Sequence, residues 1–257
     1  LVAAHVVADK RQVAILAPTT ILANQHYQNF VEWFGEDEVQ LLTSKIPAKE
    51  KRLIYKDIAD GKTKIIIGTH AVFQEGVAYK NLSLVIYDEQ HRFGVSQRLK
   101  LKEKAEDYPH QLLLSATPIP RTMAMGVLSG LDISTIKSLP PNRTPIVTTT
   151  LPNNRRDALI NRIKSAISKD SQVYWVCPLI DESESELIGI EDLEKILKKE
   201  FDSQDYEIIH GKMKDKDKHQ ILQDFKDKKT KILLATTVIE VGIDVPDANI
   251  MVIENSE

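Results

Sequence analysis

The sequence predicts an α/β protein built as two tandem lobes, each a mainly parallel sheet flanked by helices. Three observations lead there. Short aliphatic runs alternate with longer helical stretches, as parallel sheets require, because each crossover between parallel strands needs a helix-sized connection. The run Leu84-Val85-Ile86-Tyr87 ends on Asp88-Glu89, so a strand buried on both faces delivers charge at its carboxyl end. The chain also repeats itself: residues 45–89 align without a gap to residues 212–256, and 13 of the 45 pairs are identical. Similarity at one long period, carried by helix-strand-loop-strand units, implies two copies of one fold rather than a solenoid.

Residues 1–8 are apolar and lack a capping residue, so they read as a helix met part-way along. Residues 13–17 form a strand, and Pro18-Thr19-Thr20 lead into a helix whose apolar positions are Ile21, Leu22, Phe30 and Trp33. After a strand at 39–42, a helix through Leu53, Ile54 and Ile58 stops at Gly61, a residue suited to a left-handed cap. Strands follow at 65–67, 82–87 and 111–114. In Leu139-Pro140-Pro141-Asn142-Arg143-Thr144-Pro145, three prolines disfavour both helix and central strand. The second copy starts beyond them: Gln172-Val173 repeats Gln12-Val13 at an offset of 160, and strands are expected at 207–209 and 249–253. The expected organisation is a first lobe over 1–140, a hinge at 141–145 and a second lobe over 146–257. In the gapless alignment Asn255 stands opposite Asp88 and Ser256 opposite Glu89, which leaves the acid pair to the first lobe alone.

Composition excludes several classes. The 28% charged content with a net charge of −3 gives no global basic field, so any nucleic-acid contact must come from local patches. Cys177 is the single cysteine and lies in the apolar run Val173-Tyr174-Trp175-Val176-Cys177, which rules out an internal disulfide or a Cys-based zinc site and points to a buried structural thiol. No apolar run approaches the roughly 20 residues that cross a bilayer, and no signal-peptide pattern is present, so an intracellular protein is expected. Lysines 45, 49, 51 and 56 with Arg52, and Lys212, Lys214, Lys216 and Lys218 in the second copy, alternate with acids and read as solvated helix faces.

The chemistry gathers at the strand end. In an open α/β sheet, ligands bind in the crevice outside the carboxyl ends of the parallel strands. Asp88 is placed there to hold Mg²⁺, a hard cation that favours carboxylate, water and phosphate oxygens. Glu89 can orient and deprotonate an attacking water. The alternative is that the two acids only cap the next helix.

Five strings occur in order along the chain: Ala17-Pro18-Thr19-Thr20-Ile21-Leu22-Ala23, Gly68-Thr69-His70, Asp88-Glu89-Gln90-His91, Ser115-Ala116-Thr117-Pro118, and Ala235-Thr236-Thr237-Val238-Ile239-Glu240-Val241-Gly242-Ile243-Asp244. Together they resemble the motifs of superfamily 2 helicases. The longer strings Asp88-Glu89-Gln90-His91-Arg92-Phe93-Gly94-Val95, Ala116-Thr117-Pro118-Ile119-Pro120-Arg121-Thr122 and Tyr174-Trp175-Val176-Cys177-Pro178-Leu179-Ile180 resemble the bacterial branched-DNA helicases of that superfamily. The first two also resemble, more loosely, the transcription-repair coupling translocases. The resemblance implies a helicase core of two RecA-like, P-loop NTPase lobes that uses ATP and Mg²⁺, with Asp88 on the metal and Glu89 as base. It gives Gln90 and His91 the sensing of the γ-phosphate, and Ser115 and Thr117 the link from nucleotide state to lobe movement. Glu240, Gly242 and Asp244 would face nucleotide and DNA.

By the same resemblance, DNA contacts come from loops at the sheet edge. Pro18, Thr19 and Thr20 open a helix whose amides and hydroxyls suit a phosphate. Gly68, Thr69 and His70 in one lobe, and Thr236 and Thr237 in the other, supply matching donors, and His210 and Gly211 add a second-lobe contact. The implied partners are branched or duplex DNA and a single-stranded-DNA-binding protein, for a monomeric motor in the bacterial cytoplasm, without a membrane.

Two parts of the family pattern lie elsewhere. A phosphate loop needs Gly-x-x-x-x-Gly-Lys-Ser/Thr between strand and helix; Gly61-Lys62-Thr63 offers only the tail, with Lys56 at the first glycine position and a strand following. The loop is expected upstream of Leu1 and the arginine finger beyond Glu257, so hydrolysis by these residues alone is expected to be negligible, an arginine finger being worth about 10³–10⁵ in rate. The wedge domain that reads the branch is likewise not in this stretch. A transcription-coupled translocase and a noncatalytic binding module built from a decayed motor stay open at this point.

Overall fold

The aliphatic runs assemble into two separate sheets in the computed structural model, which describes residues 1–89, 93, 108–116, 132–138, 145–177, 185–236, 245 and 247–255. The chain divides into two compact units, Leu1–Ile133 and Ser134–Glu257. Most of the Pro-rich joint, residues 139–144, lies outside the described residues.

In the first unit the order is α1 (Val2–Ala8), β1 (Gln12–Leu16), α2 (Thr20–Phe34), β2 (Val39–Leu42), α3 (Ala48–Ala59), β3 (Ile65–Gly68), a 3₁₀ turn (His70–Phe73), β4 (Leu82–Tyr87) and β5 (His110–Leu113). The strands pair in parallel in the order β2-β3-β1-β4-β5. Because side chains alternate along a strand, β1 feeds two cores. Ala14 and Leu16 join Ile66, Val85, Tyr87 and the α3 residues Ile54 and Ile58. Val13 and Ile15 join Ile65, Ile67, Leu84 and Ile86 on the other face, against Ala3 of α1 and Tyr27, Phe30, Val31 and Phe34 of α2. Phe34, and not Trp33, continues the buried stripe of α2. Trp33 is 66% exposed, because the step of four from Phe30 stays on the core side while the step of three turns away.

The second unit repeats this plan with α4 (Arg156–Ile167), β6 (Gln172–Cys177), α5 (Ser185–Glu200), β7 (Tyr206–Ile209), α6 (Asp215–Lys226), β8 (Ile232–Thr236) and β9 (Ala248–Ile253). Its parallel order, β7-β8-β6-β9, is that of β2-β3-β1-β4. Helix α6 begins and ends 167 residues after α3. Buried polar groups repeat as well. The Gln12 amide donates to Ile58 O (2.8 Å) and Thr63 O (2.9 Å), and the Gln172 amide donates to Phe225 O (2.5 Å) and Thr230 O (2.9 Å). Each glutamine ties the helix-to-strand loop to the foot of the central strand, satisfying carbonyls that burial would otherwise leave unpaired.

The gapless alignment fails over its last strand. Val13 pairs with Leu84 and Val173 with Ile250, so the counterpart of Leu84 is Ile250 rather than Met251. Glu254 therefore stands opposite Asp88 and Asn255 opposite Glu89, in place of Asn255 and Ser256. Two details agree: Asp88 N–H donates to Leu16 O and Glu254 N–H to Val176 O, both at 2.9 Å, and Glu89 and Asn255 share a positive φ, 53° and 46°. Identities such as Val85 with Val252 mislead because aliphatic runs look alike one place along; hydrogen bonds, with a period of two, fix the register.

Candidate active site

Every strand of the first sheet runs the same way, so all carboxyl ends meet at one edge. Backbone bonds tie those ends together: Ala17 N–H to Gly68 O, Asp88 N–H to Leu16 O and Leu114 N–H to Tyr87 O, each 2.9 Å. The edge thus collects Pro18, Thr19 and Thr20 after β1, Gly68, Thr69 and His70 at and after β3, Asp88 and Glu89 after β4, and Ser115 after β5. These had been separate strings in the sequence.

Asp88 is partly buried and has both oxygens engaged. Oδ1 accepts from the Glu89 backbone N–H at 3.0 Å, and Oδ2 lies 2.7 Å from His26 Nε2, the ring N–H donating to the carboxylate. Each oxygen keeps further lone-pair capacity. Glu89 follows in the left-handed region at φ 53°, a conformation that disfavours side chains other than Gly, Asn and Asp. Such strain persists where surrounding structure over-determines it, commonly at functional sites. No group of three or more His, Cys, Asp or Glu among the described residues could by itself hold a metal ion.

The loops differ in what they offer. Thr19 caps α2, its Oγ1 accepting from Leu22 N–H at 3.2 Å, so the hydroxyl proton remains available to another acceptor. Gly68 is sterically required: a Cβ there would lie 1.9 Å from Leu42 O. Thr69 is half-buried, while His70 is exposed and lies tilted against Phe73 and edge-on to Phe93, at 5.4 and 6.2 Å between ring centres. Phe93 is itself buried against Tyr87 at 5.8 Å, which joins the string after Glu89 to the His70 loop. Ser115 is exposed.

In the second lobe Thr236 ends β8, and His210 and Gly211 follow β7, again at the carboxyl edge. Thr236 is only 1% exposed, and its Oγ1, like His210 Nδ1, is buried with no hydrogen-bond partner among the described residues. The strand-end acid here is Glu254, which accepts from Trp175 Nε1–H at 3.0 Å and from Arg156 at 2.7 Å. Burial and that carboxylate push the Cys177 thiol up, as befits a structural cysteine. The lysine clusters are mainly solvated, with Lys51 donating to Ser44 O and Lys218 to Gly211 O at equivalent places. Gln90, His91, Thr117, Thr237, Glu240, Gly242 and Asp244 lie outside the described residues.

Sequence reasoning missed His26. It is 62 residues from Asp88, so no motif spacing joins them. The available signal was periodicity: His26 stands four residues after Leu22 and four before Phe30, a polar side chain on the core-facing stripe of α2.

Comparison with known proteins agrees with this arrangement. Residues 1–125 match the DEAD/DEAH box helicase family, and residues 152–257 the helicase conserved C-terminal domain. The chain is 47% identical over 264 residues to the ATP-dependent DNA helicase RecG of Haemophilus influenzae, a match that covers 100% of this chain and 38% of that protein. The Escherichia coli K12 protein of the same name is 46% identical, with the same coverage. The chain therefore spans about two-fifths of the length of these relatives. Among solved structures, RecG bound to a three-way DNA junction superposes with a TM-score of 0.71 at 36% identity, covering 94% of this chain and 31% of that one. Yeast Dbp5 bound to RNA and ADP BeF3, at 17% identity and a TM-score of 0.64 over 93% of this chain and 61% of that one, shares the fold.

Proposed function

The chain belongs to the superfamily 2 helicases and resembles RecG along its whole length, and from that premise we propose that it is the motor core of an ATP-dependent DNA helicase that remodels branched DNA, such as stalled forks and Holliday junctions, in recombination and repair. One observation carries the reading. The acid pair Asp88-Glu89 ends the strand between β1 and β5 at the edge where the loops of β1, β3 and β5 also end, in the lobe that matches the DEAD/DEAH box family.

In this reading Asp88 would hold Mg²⁺ beside a bound nucleotide, where the ion would supply charge neutralisation to the phosphates. Glu89 orients the attacking water and takes its proton. Gln90, His91, Ser115, Thr117, Glu240, Gly242 and Asp244 carry the nucleotide state to lobe movement about the hinge at 141–145. Pro18, Thr19, Thr20, Gly68, Thr69, His70, His210, Gly211, Thr236 and Thr237 grip the DNA backbone, whose phosphates position a protein without reading sequence. A bacterial cytoplasmic protein, monomeric and assisted by a single-stranded-DNA-binding protein, fits this role; no helix of the described residues is long and apolar enough to cross a membrane.

The test is fluorescence anisotropy of the full-length protein on forked and linear duplex of equal length, with phosphate release followed in parallel. Tighter binding to the fork together with DNA-stimulated release is expected. Equal binding without stimulation would leave a noncatalytic binding module as the better description.

A further inference from the structure

We propose that His26 is a positioning residue that fixes the carboxylate of Asp88 for its cation, an inference that rests on the assignment of Asp88 above. With Oδ2 held by His26 at 2.7 Å and Oδ1 by the Glu89 backbone N–H at 3.0 Å, the carboxyl group has one donor on each oxygen. A planar group gripped at both ends cannot rotate about its Cβ–Cγ bond without losing a hydrogen bond, and the remaining lone pairs then point in set directions. The two side chains are only 24% and 21% exposed, which shields the bond from competing water. Helix α2 holds the ring in place through Leu22 and Phe30, one turn to either side and both packed into the core.

The fold does not demand this contact. The second lobe closes the same strand end with the same backbone bond, Glu254 N–H to Val176 O, yet its helix α5 contains no histidine. Glu254 is clamped by the guanidinium of Arg156 and the indole of Trp175. A guanidinium brings a permanent positive charge that cancels the carboxylate. An imidazole N–H orients one without that permanent charge, and partners of this kind commonly tune metal affinity by 10–100-fold.

The experiment is a Mg²⁺ titration of a fluorescent, non-hydrolysable ATP analogue bound to the full-length protein, read by anisotropy. The proteins compared are wild type, His26→Ala, His26→Gln and Asp88→Asn. His26→Ala is expected to raise the Mg²⁺ midpoint about ten-fold and to leave metal-free nucleotide affinity unchanged. His26→Gln, whose amide N–H can reach the same oxygen, should recover most of the shift. Should alanine unfold the protein, His26→Leu supplies the donor-free variant. An unaltered midpoint in the donor-free variant, an equal loss of metal-free binding, or no recovery with glutamine would overturn the inference while leaving the helicase reading intact. A Mg²⁺ response absent from wild type, or one that survives Asp88→Asn, would sink the assignment of Asp88 and this inference with it.

Discussion

The two lobes are built on one plan, and they use the same position for opposite ends. Asp88 and Glu254 follow equivalent strands and make the same backbone bond to the neighbouring strand. Among the described residues Asp88 meets a single side-chain donor, His26, and it stays partly open. Glu254 is 9% exposed and paired with an arginine and a tryptophan, a carboxylate consumed by the core. The next residue tells the same story. Asn255 adopts the left-handed backbone that asparagine tolerates well, whereas Glu89 occupies it at a cost of about 1 kcal/mol.

This contrast can be broken by experiment. The largest effect is expected at Glu89: in the full-length protein, Glu89→Gln should lower the DNA-stimulated rate of phosphate release by about 10²–10⁴, and Asn255→Gln should leave it near wild type. DNA-stimulated release that survives Glu89→Gln would remove the catalytic assignment. Next comes the loop after β3. Gly68→Ala places a methyl against Leu42 O and should cost about 3 kcal/mol in chemical denaturation. The equivalent position is already Ala235, fully buried, so Ala235→Gly should cost only about 1 kcal/mol. Equal losses would mean the lobes are closer in packing than their residues suggest.

Glu254→Ala leaves Arg156 and the Trp175 N–H without their acceptor, and a fall of about 2 kcal/mol in stability is expected. Asp88→Asn should shift the thermal midpoint far less than Glu254→Ala. A larger thermal loss at Asp88 would reverse the roles given to the two acids. The smallest effect concerns pH. Hydrogen bonds from Lys231 and Lys228 lower the Asp170 carboxyl to about 2, below its ordinary 3.8. The pair's stabilisation is thus present above the unfolded value and is lost as pH falls through the folded one. Asp170→Asn should flatten the acid limb of a melting-temperature profile between about pH 4 and 2. Lys10, the equivalent residue of the first lobe, offers no carboxylate, and its carbonyl accepts from Lys64 instead.

Much of this was legible in the residues. Short apolar runs marked the strands, and one of them, Leu84 to Tyr87, ended on acids, as a strand buried on both faces that delivers charge at its end would. The long-range repeat announced two lobes, and the motif strings placed Asp88 and Glu89. The one-residue register of β9 was not legible, since Val252 and Ile253 are identical to Val85 and Ile86 in the wrong placement and only the hydrogen bonds to β6 give the right one. Nor was the purpose of Gly68: a glycine at a strand end has many uses, and the carbonyl that forbids a side chain belongs to Leu42, well upstream. Local patterning by itself determined which segments form strands and helices and which lobe bears the acid pair, because burial and periodicity are written along the chain. Only tertiary structure decided that Glu254 is the counterpart of Asp88 and that His26 meets it, because contacts between residues tens of positions apart depend on how strands pair and helices dock.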